Sequence, residues 1–412
     1  MKLYKVITII FLSQSIYANS IVIKGGLIHS GNGLESFQAD ILIEDQRIVK
    51  IGKNLSKSNA RVIEANGSIV TPGLISPLSN IGVVEINALD VTKDDEPDIF
   101  GPGFSVFHAF NPKSTLIPWN RSNGVTSAIA SPGYSSGFFK GMGSFFILDG
   151  ELDIKGIPDV AMYARLGARN GSRSETIQIM ESLLEISLQY DGTNVEDILD
   201  INLVDSLELQ ANDILALHSV VRDKLPLVLE VNRASDILQA LRLKAKFKLN
   251  LVLLSAEEAP LVLDEIIKAD VPIIIDPMDN IPDSFDELAS NIELGGILDQ
   301  AGINLMFSTQ RSHNYHLMRQ GAGNAVAYGM SYGTAIQGMT KNVADTFGLS
   351  GRGLIAEGNY ADIVVWDQDP LEPSSFPKYV LINGKIQDLT TRSSRLTDRY
   401  KSSSDKPSAY KY

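Results

Sequence analysis

Two histidines and one glutamate form the first group of residues whose types suit a chemical role. His313 and His316 are three positions apart, so on a helical turn their imidazoles share one face. With Glu230 they make a His-His-Glu set, a combination of donors that suits a zinc ion. The alternative is that His313 lies in a loop or at a helix start, where it packs or contacts a substrate. The sequence alone leaves both interpretations open.

A second candidate is a pair of carboxylates, Glu230 and Asp276, each at the end of a predicted strand. Two neighbouring carboxyl groups can divide the work of a general acid and a general base. The alternative interpretation is structural: Arg233 neutralises Glu230, and Asp276-Pro277 opens a turn.

Three further motifs indicate chemistry only weakly. Gly133 to Gly137 matches the Gly-x-Ser-x-Gly pattern of a nucleophile elbow, but the glycine-rich residues that follow predict a loop where that motif needs a helix. Lys140 in this loop lacks the Gly-Lys-Ser/Thr order of a phosphate-binding loop. The acidic run 94–96 is predicted to be a solvated loop, with a lid over the site as the alternative.

The segments that must position these residues alternate between strand and helix. Helical patterns at 234–246 and 259–268 separate apolar segments that are predicted strands, at 124–130, 159–164, 225–230, 249–254, 271–275 and 303–307. This alternation predicts a parallel β/α arrangement, and residues 71–350 are close to the ~250 residues of one barrel. Short alternating strands between residues 20 and 70, and again between 361 and 385, predict a small sheet made from both termini.

The predicted fold class is therefore α/β, a (β/α)8 TIM-like barrel with a small β-sandwich domain built from both termini. The predicted parts are a signal peptide at 1–18, the first part of the sandwich at 19–70, the barrel at 71–350, the second part of the sandwich at 351–388 and a C-terminal tail at 389–412.

Several motifs carry a resemblance to a known family. They are Thr71-Pro72-Gly73-Leu74-Ile75, Gly124-Val125-Thr126, the stretch from Gly321 to Gly329 and the stretch from Gly358 to Asp367. With these motifs the chain resembles the metal-dependent amidohydrolase superfamily, and most closely its secreted group related to imidazolonepropionase. The resemblance covers roughly residues 20–401. It implies a barrel with a divalent metal at its mouth and hydrolysis of non-peptide C–N bonds.

The same resemblance implies where the metal ligands should lie. In active relatives the first barrel strand continues as Asp-x-His-x-His, but here the two histidine positions are Leu78 and Asn80. The histidines that end the fifth and sixth strands are replaced by Glu230 and Ser255, and Gln310 stands where the eighth strand supplies an aspartate. No lysine on the predicted fourth strand is available to bridge two metals. The expected ligand set is thus replaced throughout.

Two functions follow from these replacements. We favour a non-catalytic or strongly altered barrel, without a metal cofactor, that binds a small molecule or a protein partner at a mouth formed by Leu78, Asn80, Ser255, Gln310 and His313. The alternative is an active hydrolase for cyclic amide, amidine or N-acyl substrates, with zinc held by Glu230, His313 and His316. In either case Glu230 is the candidate for any residual catalysis.

Composition limits the partners and the compartment. A net charge of −13 argues against nucleic acid, because phosphate contacts need clustered Lys and Arg. The start of the chain predicts a secretory signal, with Lys2 and Lys5 before an apolar core that is too short to span a membrane. No cysteine is present, so disulfides are excluded. We expect a periplasmic or secreted protein that is not embedded in the membrane, either a homo-oligomer or paired with an active paralogue.

Overall fold

The computed structural model describes residues 20–133, 137–167, 171–190, 195–199, 201–309 and 311–401. The predicted signal peptide, the centre of the Gly133 to Gly137 motif and Gln310 lie outside the described residues.

Sixteen strands are present in the described part of the chain. They are β1 (Ser20–Ile28), β2 (Phe37–Glu44), β3 (Arg47–Gly52), β4 (Arg61–Glu64), β5 (Ile69–Pro72), β6 (Leu74–Ser79), β7 (Val125–Ala130), β8 (Phe139–Ile147), β9 (Gly156–Arg165), β10 (Leu227–Val231), β11 (Leu251–Ser255), β12 (Ile273–Ile275), β13 (Leu305–Phe307), β14 (Ile363–Trp366), β15 (Pro377–Ile382) and β16 (Lys385–Ile386).

The α-helices lie between the strands of the second sheet and in the C-terminal region. They are α1 (Leu116–Arg121), α2 (Arg173–Gln189), α3 (Val195–Leu199), α4 (Asn202–Ser206), α5 (Ala211–Val221), α6 (Ala234–Phe247), α7 (Leu263–Ala269), α8 (Leu294–Gln300), α9 (Met318–Ala327), α10 (Tyr332–Gly338), α11 (Lys341–Thr346) and α12 (Arg392–Lys401). The predicted helix at 234–246 is confirmed by α6.

The first sheet combines both ends of the described chain. Its order is β16-β15-β14-β5-β1-β2-β3, with β4 paired to β1. Strand β14 joins the two ends by pairing antiparallel with β5. The prediction of a small sheet shared by the two termini is confirmed, whereas its arrangement as a two-layered sandwich stays a prediction.

Gly73 is the junction between this sheet and the barrel. Its amide donates to the carbonyl oxygen of Asp362 at 2.9 Å, and the next residue begins β6. A β-carbon at Gly73 would lie 2.2 Å from Oγ1 of Thr126, so only glycine fits this crossing. Nearby, the buried Trp366 donates from Nε1 to Oγ1 of Thr71 at 2.9 Å. The two sheets are thus tied together at the chain crossing.

The second sheet is a nearly closed barrel of eight strands. Its order is β13-β12-β11-β10-β9-β8-β7-β6, and β13 returns to lie beside β6. Seven strands run in one direction, while β8 is antiparallel to both β7 and β9. The sequence prediction of a uniformly parallel (β/α)8 barrel is therefore wrong at this strand.

The glycines of β8 explain the error. Gly141 and Gly143 suggested a loop, but a β-carbon at Gly143 would lie 2.5 Å from the ring of Tyr163 on β9. These glycines let an aromatic side chain approach the backbone of an interior strand, which is a known use of glycine in sheets. Residues 139–147 are consequently a barrel strand, and Lys140 lies on it.

The barrel strands have continuous buried faces, as expected for strands covered on both sides. Within the described residues, no helix is both long and apolar enough to cross a membrane.

Candidate functional site

A cavity of about 200 Å³ opens where the parallel barrel strands reach their carboxyl ends. In barrels of this kind, chemistry is concentrated at this rim. Leu78, Asn80 and Ser255, three of the residues predicted to form the mouth, line the cavity, and so does Glu230, the predicted catalytic residue. His313 is not among the lining residues, and Gln310 lies outside the described residues.

Glu230 is held by two cations. Its Oε2 accepts from Nζ of Lys140 at 3.0 Å, and its Oε1 accepts from Nη2 of Arg165 at 2.6 Å. The three side chains are 18%, 11% and 10% exposed, so the ion pairs are largely removed from water. Burial alone would raise the pKa of Glu230, but the two positive charges outweigh it and the pKa is lowered. Glu230 is therefore a neutralised carboxylate, and the cations are Lys140 and Arg165 rather than the predicted Arg233.

Asn80 is the centre of a short hydrogen-bond chain. Its Nδ2 donates to Oδ2 of Asp95 at 2.6 Å, and its Oδ1 accepts from the hydroxyl of Tyr315 at 2.9 Å. Both ends of the amide are thus used within the protein. Leu78, two residues earlier on β6, packs against the barrel core.

Asp95 lies inside the mouth, although the run 94–96 was predicted to be solvated. Its neighbours Asp94 and Glu96 are exposed, but Asp95 itself is only 5% exposed. Its Oδ1 has no hydrogen-bond partner among the described residues. Burial raises the pKa of Asp95 to about 6. The solvated-loop prediction is wrong for this one residue.

The end of β11 turns sharply at Ser255. Ser255 and Ala256 have φ of 72° and 54°, a left-handed conformation that is costly for residues with a β-carbon. The turn places Glu257 in the cavity wall, where it is 4% exposed and its Oε2 has no partner among the described residues. Burial, and then the nearby carboxylates led by Asp279, raise the pKa of Glu257 to about 8. Glu257 is consequently a neutral carboxylic acid near neutral pH.

Asp276, the second member of the predicted carboxylate pair, also lines the cavity. Its Oδ1 accepts from the amide of Met278 at 3.1 Å, so the residue opens a turn as the structural interpretation predicted. Its charge is among those that raise the pKa of Glu257.

The two histidines do not join Glu230. His316 is buried edge-on against Trp119, and its Nδ1 lies 3.3 Å from Oδ1 of Asn120. Burial lowers the pKa of His316 to about 4. His313 has φ of 72°, and its carbonyl oxygen accepts from Nδ2 of Asn120 at 3.0 Å. The structure thus supports the loop interpretation of His313.

The residues at the mouth do not fit a metal ion of the kind the superfamily uses. Leu78 offers no donor, Asn80 is bonded at both ends, and Glu230 is covered by two positive charges that would repel a divalent cation. In the described part of the chain, no three His, Cys, Asp or Glu residues are grouped so that they could hold a metal.

Three residues that matter here were missed or undervalued by sequence reasoning. Lys140 was assigned to a loop, Asp95 to a solvated surface, and Glu257 was not considered for a role. The one available signal was the Glu257-Glu258 pair directly after a predicted strand, because polar residues at strand ends of a barrel lie at its mouth.

Comparison with solved structures supports the architecture. The structure of an amidohydrolase from Thermotoga maritima MSB8 matches with a TM-score of 0.76 at 22% identity, over 89% of this chain and 99% of that one. The structure of molinate hydrolase matches with a TM-score of 0.56 at 17% identity, over 90% of this chain and 95% of that one. At these identities the likeness shows the fold alone.

Residues 224–390 match the sequence profile of the amidohydrolase family. Over these residues, about two fifths of its length, the chain carries an amidohydrolase family domain. Among curated relatives, a 5-methylthioadenosine/S-adenosylhomocysteine deaminase of Thermococcus onnurineus (strain NA1) is 46% identical over 57 residues, which are 14% of this chain and 13% of that protein. A D-hydantoinase of Geobacillus stearothermophilus is 36% identical over 102 residues, 25% of this chain and 20% of that protein. The matched segments therefore span a fifth or less of these two relatives' lengths.

Proposed function

We propose that this amidohydrolase family protein binds a small polar molecule at its barrel mouth without metal-dependent hydrolysis. The observation that carries the proposal is the bonding of Glu230 to both Lys140 and Arg165 at the end of the fifth barrel strand. A carboxylate with one cation on each oxygen is a poor metal ligand and a poor general base. The cavity beside it remains large enough for a small ligand and is walled by polar groups, as binding sites commonly are.

A thermal-shift screen of small polar molecules tests this proposal. Ser312 is exposed and lines the cavity, so Ser312→Trp would obstruct the entrance with little cost to folding. Ser393→Trp, on exposed α12 away from the cavity lining, is the matched control. We expect hits that stabilise the wild type and the control but not Ser312→Trp. A screen without any such hit contradicts the proposal.

A second candidate function is an active hydrolase of non-peptide C–N bonds, as the superfamily resemblance implies. The observation in its favour is the buried Glu257, which is protonated near neutral pH and has an oxygen without a partner among the described residues. Such a group could protonate a leaving nitrogen as a general acid. Hydantoins, imidazolones and N-acyl amino acids form the substrate panel, and turnover that Glu257→Gln abolishes would establish this function in place of the first.

Further proposals rest on the sequence. The charged and apolar pattern of residues 2–12 supports export to the periplasm or secretion. The Gly124 to Thr126 motif and the stretch from Gly321 to Gly329 support kinship with the group related to imidazolonepropionase. A homo-oligomer, or pairing with an active paralogue that docks at the mouth, remains a proposal that gel filtration and co-purification would test.

A further inference from the structure

Two buried carboxyl groups in the mouth each carry one oxygen that no hydrogen bond satisfies. They are Oδ1 of Asp95 and Oε2 of Glu257, both without a partner among the described residues. The two residues are 5% and 4% exposed, and both line the cavity of about 200 Å³. Buried polar atoms in folded proteins are nearly always paired, so unpaired ones that face a cavity point to a missing donor.

The backbone beside each carboxyl group is held by hydrogen bonds, and the Asp95 carboxyl group is held directly as well. Asp95 is held through Oδ2 by Asn80, and its carbonyl oxygen accepts from the amide of Gly133 at 2.8 Å. Glu257 follows the left-handed pair Ser255 and Ala256, and the amide of the next residue donates to the carbonyl oxygen of Asn232 at 3.0 Å. The two acceptors are therefore carried by segments whose backbones are hydrogen-bonded to the rest of the protein.

The charge of the cavity favours a cation. Its described lining contains five acidic side chains, Asp95, Glu96, Glu230, Glu257 and Asp276, and one basic side chain, Lys140. Lys140 and, from outside the lining, Arg165 neutralise Glu230, and Glu257 is protonated, so the remaining negative charge comes from Asp95, Glu96 and Asp276. The lining therefore has an excess of acceptors over donors, and a ligand that supplies several N–H groups corrects the imbalance.

We propose that the mouth binds a small organic cation of the guanidinium or amidinium class, whose N–H groups donate to Oε2 of Glu257 and Oδ1 of Asp95. This inference rests on the proposed function, which it deepens by naming the class of ligand. A planar cation with donors on several edges can reach acceptors on separate segments, and it loses less hydration on burial than an ammonium group. A metal ion is the poorer candidate, since no three suitable ligands are grouped in the part of the chain that the structure describes.

Proton release provides an independent signature of this site. Burial and the neighbouring Asp279, Glu287 and Asp276 raise the pKa of Glu257, so the group is protonated when the cavity is empty near neutral pH. A bound cation favours the ionised carboxylate. Binding near neutral pH is therefore coupled to release of a proton from Glu257, which a ligand on the outer surface would not cause.

Isothermal titration with methylguanidinium tests the inference, and methylurea serves as its neutral counterpart of similar shape. The variants are Glu257→Gln and Asp95→Asn, with Glu265→Gln on the exposed face of α7 as the control. We expect the wild type and Glu265→Gln to bind methylguanidinium, and Glu257→Gln to bind it at least tenfold more weakly. Titrations in buffers of different ionisation enthalpy should show proton release in the wild type and none in Glu257→Gln. The melting temperature of each variant verifies that it is folded.

Three results would overturn the inference. If methylurea binds as tightly as methylguanidinium and Ser312→Trp blocks its binding, the mouth takes neutral ligands. The cation class is then wrong, but the proposed function stands. Zinc or calcium binding that Glu257→Gln abolishes would assign the carboxyl groups to a metal, contradicting both proposals. Absence of methylguanidinium binding in the folded wild type contradicts the cation class, and the Ser312→Trp screen then decides separately whether the mouth binds anything.

Discussion

Nζ of Lys140 donates to Oε2 of Glu230 at 3.0 Å, which links the antiparallel strand β8 to the carboxyl end of β10 across the barrel mouth. Arg165, at the end of β9, completes the cluster through the other carboxylate oxygen. Three adjacent strands of the barrel thus meet in one charge cluster, at a position where relatives are expected to bind metal. The energetics of this charge cluster and of the buried carboxyl groups lead to four predictions.

The first prediction concerns the stability of the cluster. Glu230→Gln leaves two positive charges without their anion, and we expect it to lower the free energy of unfolding by roughly 3 kcal/mol. Lys140→Met should cost less, because Arg165 still pairs with Glu230. A double-mutant cycle measured by urea unfolding should give a coupling of about 1–3 kcal/mol.

Lys341→Met is the control for this cycle, because it breaks an ion pair on the surface. Lys341 pairs with Asp345, and their side chains are 33% and 58% exposed, respectively. It should change the free energy of unfolding by less than about 1 kcal/mol. A coupling for Lys140 and Glu230 no larger than this control effect would mean that solvent screens the cluster.

The second prediction is a pH dependence that comes from Glu257. Its pKa is raised to about 8 in the folded protein, above the ordinary value of 4.5, so the folded state keeps a proton that the unfolded state has released. Stability is therefore lost as pH rises from about 4.5 to about 8. Glu257→Gln imitates the protonated acid and should remove this loss, so its melting temperature should exceed that of the wild type most at alkaline pH. Equal melting temperatures of the two proteins across this range would contradict the burial of an unpaired acid.

The third prediction concerns metal. Because Leu78 offers no donor atom, Asn80 is bonded at both ends and Glu230 is covered by two positive charges, we expect no stoichiometric zinc, iron or manganese in protein purified without chelator. Addition of a chelator should leave the melting temperature unchanged, since no stability is linked to a metal. Elemental analysis that finds about one metal per chain would contradict the proposed function.

The fourth prediction is that Leu78→His with Asn80→His does not create a tight zinc site. Two imidazoles on one strand provide half of a tetrahedral shell. The change at Asn80 also removes the amide that links Asp95 to Tyr315, so we expect a loss of about 1–3 kcal/mol in stability.

Adding Glu230→His, Ser255→His and Gln310→Asp should raise zinc affinity by more than the sum of the separate changes, because ligands of one ion act together. Competition with a chromophoric chelator measures the affinity of both variants. Tight binding by the double variant alone would reveal donors that the described mouth does not contain.

The sequence by itself determined the class of fold and the shared terminal sheet, and its resemblance to a family predicted which ligand positions are replaced. Period-two strands, the Thr71 to Ile75 motif and the alternation of strand and helix are local patterns, and local patterns can be read along one chain. The family resemblance singled out Leu78, Asn80, Glu230 and Ser255 at strand ends, and all four line the cavity.

Only the tertiary structure decided the direction of β8 and the partners of the charged residues. Gly141 and Gly143 look like loop residues until Phe104 is seen against the first and the ring of Tyr163 against the second. Lys140 and Glu230 are ninety positions apart, and pairing at that distance depends on how strands are ordered around the barrel. The burial that makes Glu257 a neutral acid likewise comes from the packing of segments remote in sequence, because solvent exposure is a property of the assembled fold.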